Sequence, residues 1–285
     1  MYALRLTKIN LFKHISSVNF WTPFILAIAA VYEFTHSLAN MASHYSIPVN
    51  GFAVSFLFSS FNQTFIVFLG VFILFSDLPF KDNQQMFMIS RSGKRAWIFS
   101  QVFYVVVVSL MYFAFIVVCF CAFSLPNIGF DVQNWGKIIR TISATNAASV
   151  FELTFSVPKG ILSEFSPLEA FLCSFGMAYV VAVAFGLLIL LLNLTVKHKV
   201  GIAVSGALVF LYMVVHLSDS WIMSYFSPID WCSILRIDKN GISIYPDLSF
   251  AIIVLLVCIV VEMTALFIFG GKRIKFILDT KEEIV

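Results

Sequence analysis

Residues 75–101 read FSDLPFKDNQQMFMISRSGKRAWIFSQ, a polar stretch that separates two long apolar runs. Pro79 stops a helix arriving from the first run, because proline lacks an N–H and restricts the residue before it. Asp82 is then a favourable N-cap for a short helix over residues 83–90. This predicted helix carries three large apolar side chains, Met86, Phe87 and Ile89. The stretch is either a turn whose apolar residues rest on a membrane surface or a docking helix for a soluble partner.

The composition excludes a soluble globular domain. Apolar residues make up 60% of the 285 and charged residues 12%, with a mean hydropathy of +0.96, whereas soluble domains carry about 25% charged residues. We expect an all-α integral membrane protein, one domain over residues 1–285, with six transmembrane helices. Each predicted span is near the ~20 residues that cross a bilayer: Phe20–Met41, Phe52–Phe75, Trp97–Phe123, Leu168–Leu192, Val200–Leu217 and Phe250–Phe269.

Lysine and arginine beside the spans predict the orientation. Of the eighteen, thirteen lie in residues 1–19, in 76–96, after span four and in the C-terminal tail, while five lie in 124–167 and 218–249. This bias predicts that both termini and residues 76–96 are cytoplasmic. The segments 124–167 and 218–249 are then extracellular, the second forming re-entrant or surface helices before span six.

Residues 1–19 mix apolar and basic side chains. Four apolar residues share one helical stripe, which Lys8 interrupts: Leu4, Leu11, Ile15 and Val18. Such a pattern is typical of a helix that lies on an anionic membrane surface. We therefore expect an interfacial helix at the N-terminus.

Sequence motifs for catalysis and metal binding are absent. No glycine-rich P-loop, HExxH or GxSxG motif occurs, and the five cysteines show no ligand spacing. Glu33-x-x-His36 is a single carboxylate–histidine pair, whereas di-iron bundles use two such pairs and two further acids. We expect no enzyme activity, no metal site and no cofactor bound by this chain, which cannot hydrolyse ATP through a P-loop of its own.

Polar residues inside the predicted spans are candidates for lining a transport path: Glu33, His36, Asn62, Gln63 and Glu262. Glu33 lies 13 residues into span one and Glu262 12 residues into span six, which places both near the bilayer midplane. A carboxylate there is costly unless it is paired or hydrated. The alternative is that these acids are protonated or paired and hold helices together. A stripe of small residues in span four, Ala178, Ala182 and Gly186, favours packing within the chain over a dimer contact.

The chain resembles an ABC-2-type permease in its six spans, its basic N-terminus and its cytoplasmic helix between spans two and three. FSDLPF followed by SRSGKRAWIFSQ is similar to a subgroup of permease subunits from Gram-positive bacteria. Short outer motifs add to the resemblance: Asn134-Trp135-Gly136-Lys137, Ser166-Pro167, Ser227-Pro228-Ile229 and Tyr245-Pro246.

The resemblance implies an energy source outside this chain. Two copies of an ATP-binding subunit would hold ATP and Mg²⁺ and receive the coupling helix, whose contact residues are Asp82, Asn83, Met86, Phe87 and Ile89. A second permease subunit, identical or homologous, and membrane lipid would be the other partners, with no nucleic acid. The expected function is export of a peptide, antimicrobial or amphipathic lipid-like substrate by alternating access across a bacterial plasma membrane. The alternative is a secondary transporter or a membrane scaffold; a secondary transporter should show repeats and broken spans, and none of the six spans reads as broken.

Overall fold

The computed structural model describes residues 2–79, 83–196, 199–218, 220–241 and 243–270; side chains are described from residue 4 onward, except 83–87. The fold is almost entirely helical. Its helices are α1 Tyr2–Ile15, α2 Val18–Tyr45, α3 Phe61–Phe75, α4 Asn83–Ser92, α5 Lys94–Phe123, α6 Gly136–Ala144, α7 Ala147–Val150, α8 Lys159–Glu164, α9 Pro167–Thr195, α10 Val200–Ser218, α11 Trp221–Ser224 and α12 Leu248–Ala265. A 3₁₀ helix over Gly51–Ser59 precedes α3, and a π-helical turn over Leu266–Gly270 follows α12.

Within the described part of the chain, five helices are long and apolar enough to cross a membrane: α2, α5, α9, α10 and α12 with its π-helical turn. A sixth span is formed only if the 3₁₀ helix and α3 are taken together, and these two meet at an angle of 88°. The expectation of one continuous span over Phe52–Phe75, and of six unbroken spans, is therefore wrong. Ser60 adopts an extended backbone between the two helices, with φ −99° and ψ 125°.

The bundle has two distinct ends. We call the end that carries α1, α4 and the connection from α9 to α10 the basic end, since most of the lysines and arginines lie there in the sequence. The opposite end carries the segments between α5 and α9 and between α10 and α12, and we call it the capped end. Among the described residues its only strands are β1 Val49–Asn50 and β2 Ile128–Gly129, which pair in parallel.

Helix α9 packs in the middle of the bundle through small side chains. Ala178 and Ala182 are completely buried, and a methyl group built on Gly186 would lie 2.5 Å from Val105 of α5 and 3.2 Å from Phe75 of α3. Two helix backbones can approach this closely only where the residues at the contact are small. The prediction that the small-residue stripe packs within the chain is confirmed.

Helix α1 packs against α5. Of the apolar stripe expected to lie on the membrane surface, Leu4 and Val18 are 58% and 79% exposed, whereas Leu11 and Ile15 are half-buried against the core. The buried face of α1 is mostly polar: Leu6, Thr7, Asn10 and His14. Burial of polar side chains is favourable only where they find hydrogen-bond partners, and α5 supplies such partners.

Candidate functional site

The connection from α3 to α4 is hydrogen-bonded to α2 and α9 at its base, and through Asn193 of α9 it is linked to α10. Asn19, at the start of α2, donates from Nδ2 to Asp77 Oδ2 at 2.9 Å. Asn193 near the end of α9 donates to the Leu78 carbonyl at 2.6 Å and accepts from the Gly201 N–H of α10 at 2.9 Å. Because Asn193 is buried, losing either partner would leave a polar group unsatisfied. The connection is therefore tied to α2, α9 and α10 before α4 begins.

Helix α4 is present where the sequence predicts a coupling helix, and it ends at Ser92, two residues later than predicted. Asn83, Met86 and Phe87 lie on it, but their side chains and all of Asp82 lie outside the described residues. Ile89 is only 6% exposed and belongs to the hydrophobic core. It is thus unsuited to be a docking anchor, since α4 turns this side chain toward the bundle.

The buried face of α1 forms hydrogen bonds with α5. His14 Nδ1 is bonded to the Tyr104 hydroxyl, and the Thr7 hydroxyl donates to the Ser100 carbonyl at 3.1 Å. Burial lowers the pKa of His14 to about 4, although the nearby Asp77 opposes this shift. His14 is therefore neutral near pH 7, which suits a buried imidazole that holds α1 against the bundle.

Two buried polar side chains near the basic end lack hydrogen-bond partners. Gln101 of α5 is fully buried, and neither its amide oxygen nor its nitrogen is bonded. Glu262 of α12 is 8% exposed with a free Oε2, and it shares its buried face with Ala251 and Leu255. Unsatisfied groups of this kind cost free energy in an apolar surrounding.

Glu33 and His36 lie on the outer surface of the bundle rather than in its interior, since both are exposed. Tyr32, the preceding residue, contacts the ring of Phe123, the last residue of α5, at 5.7 Å. Glu33 therefore lies on the face of α2 that points away from the bundle interior. His36 is bonded to Asn40 Nδ2 at 3.2 Å, which extends the polar character of this face.

A polar group surrounds the break between the 3₁₀ helix and α3. The Ser60 hydroxyl is bonded to Gln63 Oε1 and lies 2.9 Å from the Thr154 carbonyl of the capped end. Thr64 donates to the Ser60 carbonyl at 2.8 Å. Gln63 is fully buried and its Nε2 has no partner, while the neighbouring Asn62 is exposed. Of the five predicted lining residues, only Gln63 lies in this polar group.

The capped end holds a buried ion pair that sequence analysis missed. Arg236 Nη1 lies 3.3 Å from Asp230 Oδ2, and the Ser224 hydroxyl donates to the same oxygen at 3.3 Å. Burial raises the pKa of Asp230 to about 6, and Arg236 limits the rise. Ser233 donates to Ser59 at 3.1 Å, which joins this segment to the break. The signal in the sequence was an Asp and an Arg six residues apart with no other charged residue between them.

The five predicted lining residues do not come together. Glu33 and His36 lie on the outside of α2, Gln63 lies at the break, and Glu262 lies toward the basic end of α12. Among the described residues, no group of three or more His, Cys, Asp or Glu side chains could hold a metal ion. Comparisons with protein-family models, with curated proteins and with solved structures gave no match. The functional argument therefore rests on the chain itself.

Proposed function

We propose that this chain is the membrane-spanning permease subunit of an ATP-driven transporter of the ABC-2 type. The observation that carries the proposal is the connection to α4, which is bonded to α2 through Asp77 and to α9 and α10 through Asn193. A load applied to α4 would reach three spans at once. This is the arrangement that a partner needs if it is to move the bundle by binding α4.

The energy for such movement would come from a partner protein. The sequence contains no P-loop, so ATP-derived work has to enter through a surface contact. The contact would be α4, with Asp82, Asn83, Met86 and Phe87 facing two ATP-binding subunits that hold ATP and Mg²⁺. In this proposal the basic end faces the cytoplasm and the capped end faces outward, as the lysine and arginine distribution favours.

The substrate in this proposal is a peptide, an antimicrobial or an amphipathic lipid-like compound, exported across the plasma membrane of a Gram-positive bacterium. A second permease subunit, identical or homologous, would complete the path. The support for this part is the sequence resemblance together with the exposed polar face of α2, where Glu33 and His36 project away from the bundle. An acid at a lipid-facing position is costly, so cover by a second subunit would favour it.

One observation favours a second candidate, a secondary transporter. Such proteins bind substrate where a membrane helix is interrupted, and here the 3₁₀ helix and α3 meet at 88° beside the unpartnered Nε2 of Gln63. The two functions differ in energy source. Uptake by inverted vesicles that requires ATP and the partner subunit supports the permease, whereas uptake driven by an ion gradient alone supports the secondary transporter.

The docking proposal is tested by co-purification of the ATP-binding subunit. Met86→Ala with Phe87→Ala should weaken its binding at least ~30-fold, because a lost hot-spot side chain costs about 2 kcal/mol or more. The matched control removes the same two residue types from exposed positions at the capped end, Met223→Ala with Phe226→Ala. Co-purification that is unchanged in the first variant, or reduced equally in both, would refute docking through α4.

A further inference from the structure

A cavity of about 720 Å³ opens at the basic end, between the last turn of α4, the first turn of α5 and the π-helical turn after α12. Its volume is within the range of small-molecule sites. Part of its lining is apolar and is formed by Ile89, Ile98 and Phe267, which we call the apolar wall. Another part is polar and includes Ser92, Lys94 and Arg95, which we call the polar wall. The cavity is thus amphipathic, and its charged lining residues are both basic.

The positive charge on the polar wall is not neutralised by the described residues. Their ion pairs, Arg236 with Asp230 and Lys239 with Glu169, both lie at the capped end. No carboxylate among them pairs with Lys94 or Arg95. Gly93 precedes α5 without a side-chain cap, so the first N–H groups of this helix add positive potential at the same wall. The polar wall therefore favours an anion.

The cavity lies where the chain passes from charged to apolar residues. In the order Lys94-Arg95-Ala96-Trp97-Ile98-Phe99 two basic residues are followed directly by an apolar run, as where a chain passes from headgroups to acyl chains. Phe267 contacts Phe99 at 4.8 Å, and Phe99 is 51% exposed. The apolar wall therefore continues onto the outer surface of the bundle, where the acyl chain of a lipid can lie against it. A soluble anion would not contact that wall.

We infer that this cavity binds one anionic phospholipid from the leaflet at the basic end. Its phosphate lies against Lys94, Arg95 and the Ser92 hydroxyl, and one acyl chain runs along Ile98 and Phe267. Basic pockets beside transmembrane helices bind anionic headgroups by this chemistry. The site is independent of the proposed transport function, since it needs neither an ATP-binding subunit nor a substrate.

Native mass spectrometry of the full-length chain in detergent measures this binding directly. The chain is titrated with dioctanoyl phosphatidylglycerol, with dioctanoyl phosphatidylcholine and with inorganic phosphate. We expect one phosphatidylglycerol per chain, bound more tightly than either other ligand. Lys94→Gln with Arg95→Gln should lower the affinity roughly 30-fold, as expected for two cations near an anionic headgroup.

Two further variants make the result specific. Arg5→Gln with Lys8→Gln removes two exposed cations from α1 at the same end and should leave the affinity unchanged. Lys94→Arg with Arg95→Lys keeps both charges and should retain binding, which separates charge loss from misfolding. The inference is overturned by equal losses in the two glutamine variants, by phosphatidylcholine binding as tightly as phosphatidylglycerol, or by inorganic phosphate doing so.

Discussion

Replacing Gly186 by alanine tests the packing at the centre of the bundle. The added methyl would lie 2.5 Å from Val105 Cγ1 and 3.2 Å from two ring carbons of Phe75. Both neighbours are buried side chains of other helices, α5 and α3, so neither can move freely into solvent. Gly176 provides the matched control, because it lies on the same helix and a methyl there meets nothing within 4 Å.

The two substitutions change helix propensity equally, but only Gly186→Ala brings a methyl group into steric overlap with neighbouring side chains. Alanine is favoured over glycine in a helix interior by up to ~1 kcal/mol, and this gain applies to both positions. Inserting a methyl into a packed core costs about 1–3 kcal/mol, and this cost applies only to Gly186. We therefore expect Gly186→Ala to be less stable than Gly176→Ala by about 1–3 kcal/mol, with Gly176→Ala equal to or above the wild type.

The assay is the fraction of monodisperse protein that survives heating in detergent, measured by size-exclusion chromatography with both variants in parallel. A double-variant cycle with Val105→Ala adds a direct test. If Val105 is the obstacle, Gly186→Ala should cost less in the Val105→Ala background than in the wild type. Equal stability of the two glycine variants, or an unchanged cost in the Val105→Ala background, would refute the packing described for α9.

Three other predictions follow from the ends of the bundle. Burial raises the pKa of Asp230 from 3.8 to about 6, so between these two pH values Asp230 is protonated in the folded chain and ionised in the unfolded chain. The free energy of unfolding of the protein should therefore fall, by on the order of 3 kcal/mol, as the pH rises from 3.8 to about 6. Asp230→Asn should remove this slope, and an unchanged slope would contradict the assignment. Cysteines placed at Ser92 and Gly136 should be labelled by an impermeant reagent from the inside and the outside respectively; outside labelling at Ser92 would overturn the orientation. Glu33→Gln and Glu262→Gln should leave insertion intact but alter transport in reconstituted vesicles, and normal transport by both would show that these acids are structural.

Sequence patterns predicted the spans well because span length is set by the bilayer. The run Trp97–Phe123 became α5, Lys94–Phe123, and the predicted span Leu168–Leu192 became α9, Pro167–Thr195. Pro79 and the polar stretch after it likewise predicted α4 to within two residues at its end. In each case the deciding signal is local: a continuous apolar run, a proline or a capping residue.

The sequence analysis missed the break before α3 because a hydropathy pattern contains no information on a change in the direction of the helix axis. Residues 51–59 read GFAVSFLFS and are as apolar as a membrane helix, so composition alone joins them to α3. The break depends on Ser60, whose hydroxyl contacts Thr154, 94 residues away. No pattern within either segment indicates this pairing.

The candidate site was predicted less well for the same reason. Ile89 has the character of a docking anchor in the sequence, yet α4 turns it toward the core. His14 and Thr7 face the bundle, which the sequence did not indicate, and Tyr104 and Ser100 lie opposite them. These partners are 90 or more residues away in sequence, and burial of a polar side chain depends on its partner.

Helix α3 runs between the two ends of the bundle and is followed at one end, and preceded at the other, by residues bonded to neighbouring segments. It has 15 residues, a length of roughly 22 Å, which is less than the ~30 Å hydrocarbon core. Its lower end continues into Asp77 and Leu78, bonded to α2 and α9, and its upper end begins at Ser60, bonded to the capped end. In the transporter that we propose, a shift imposed on the α4 connection would be carried along α3 to the contacts at the break, where Gln63 Nε2 has no partner.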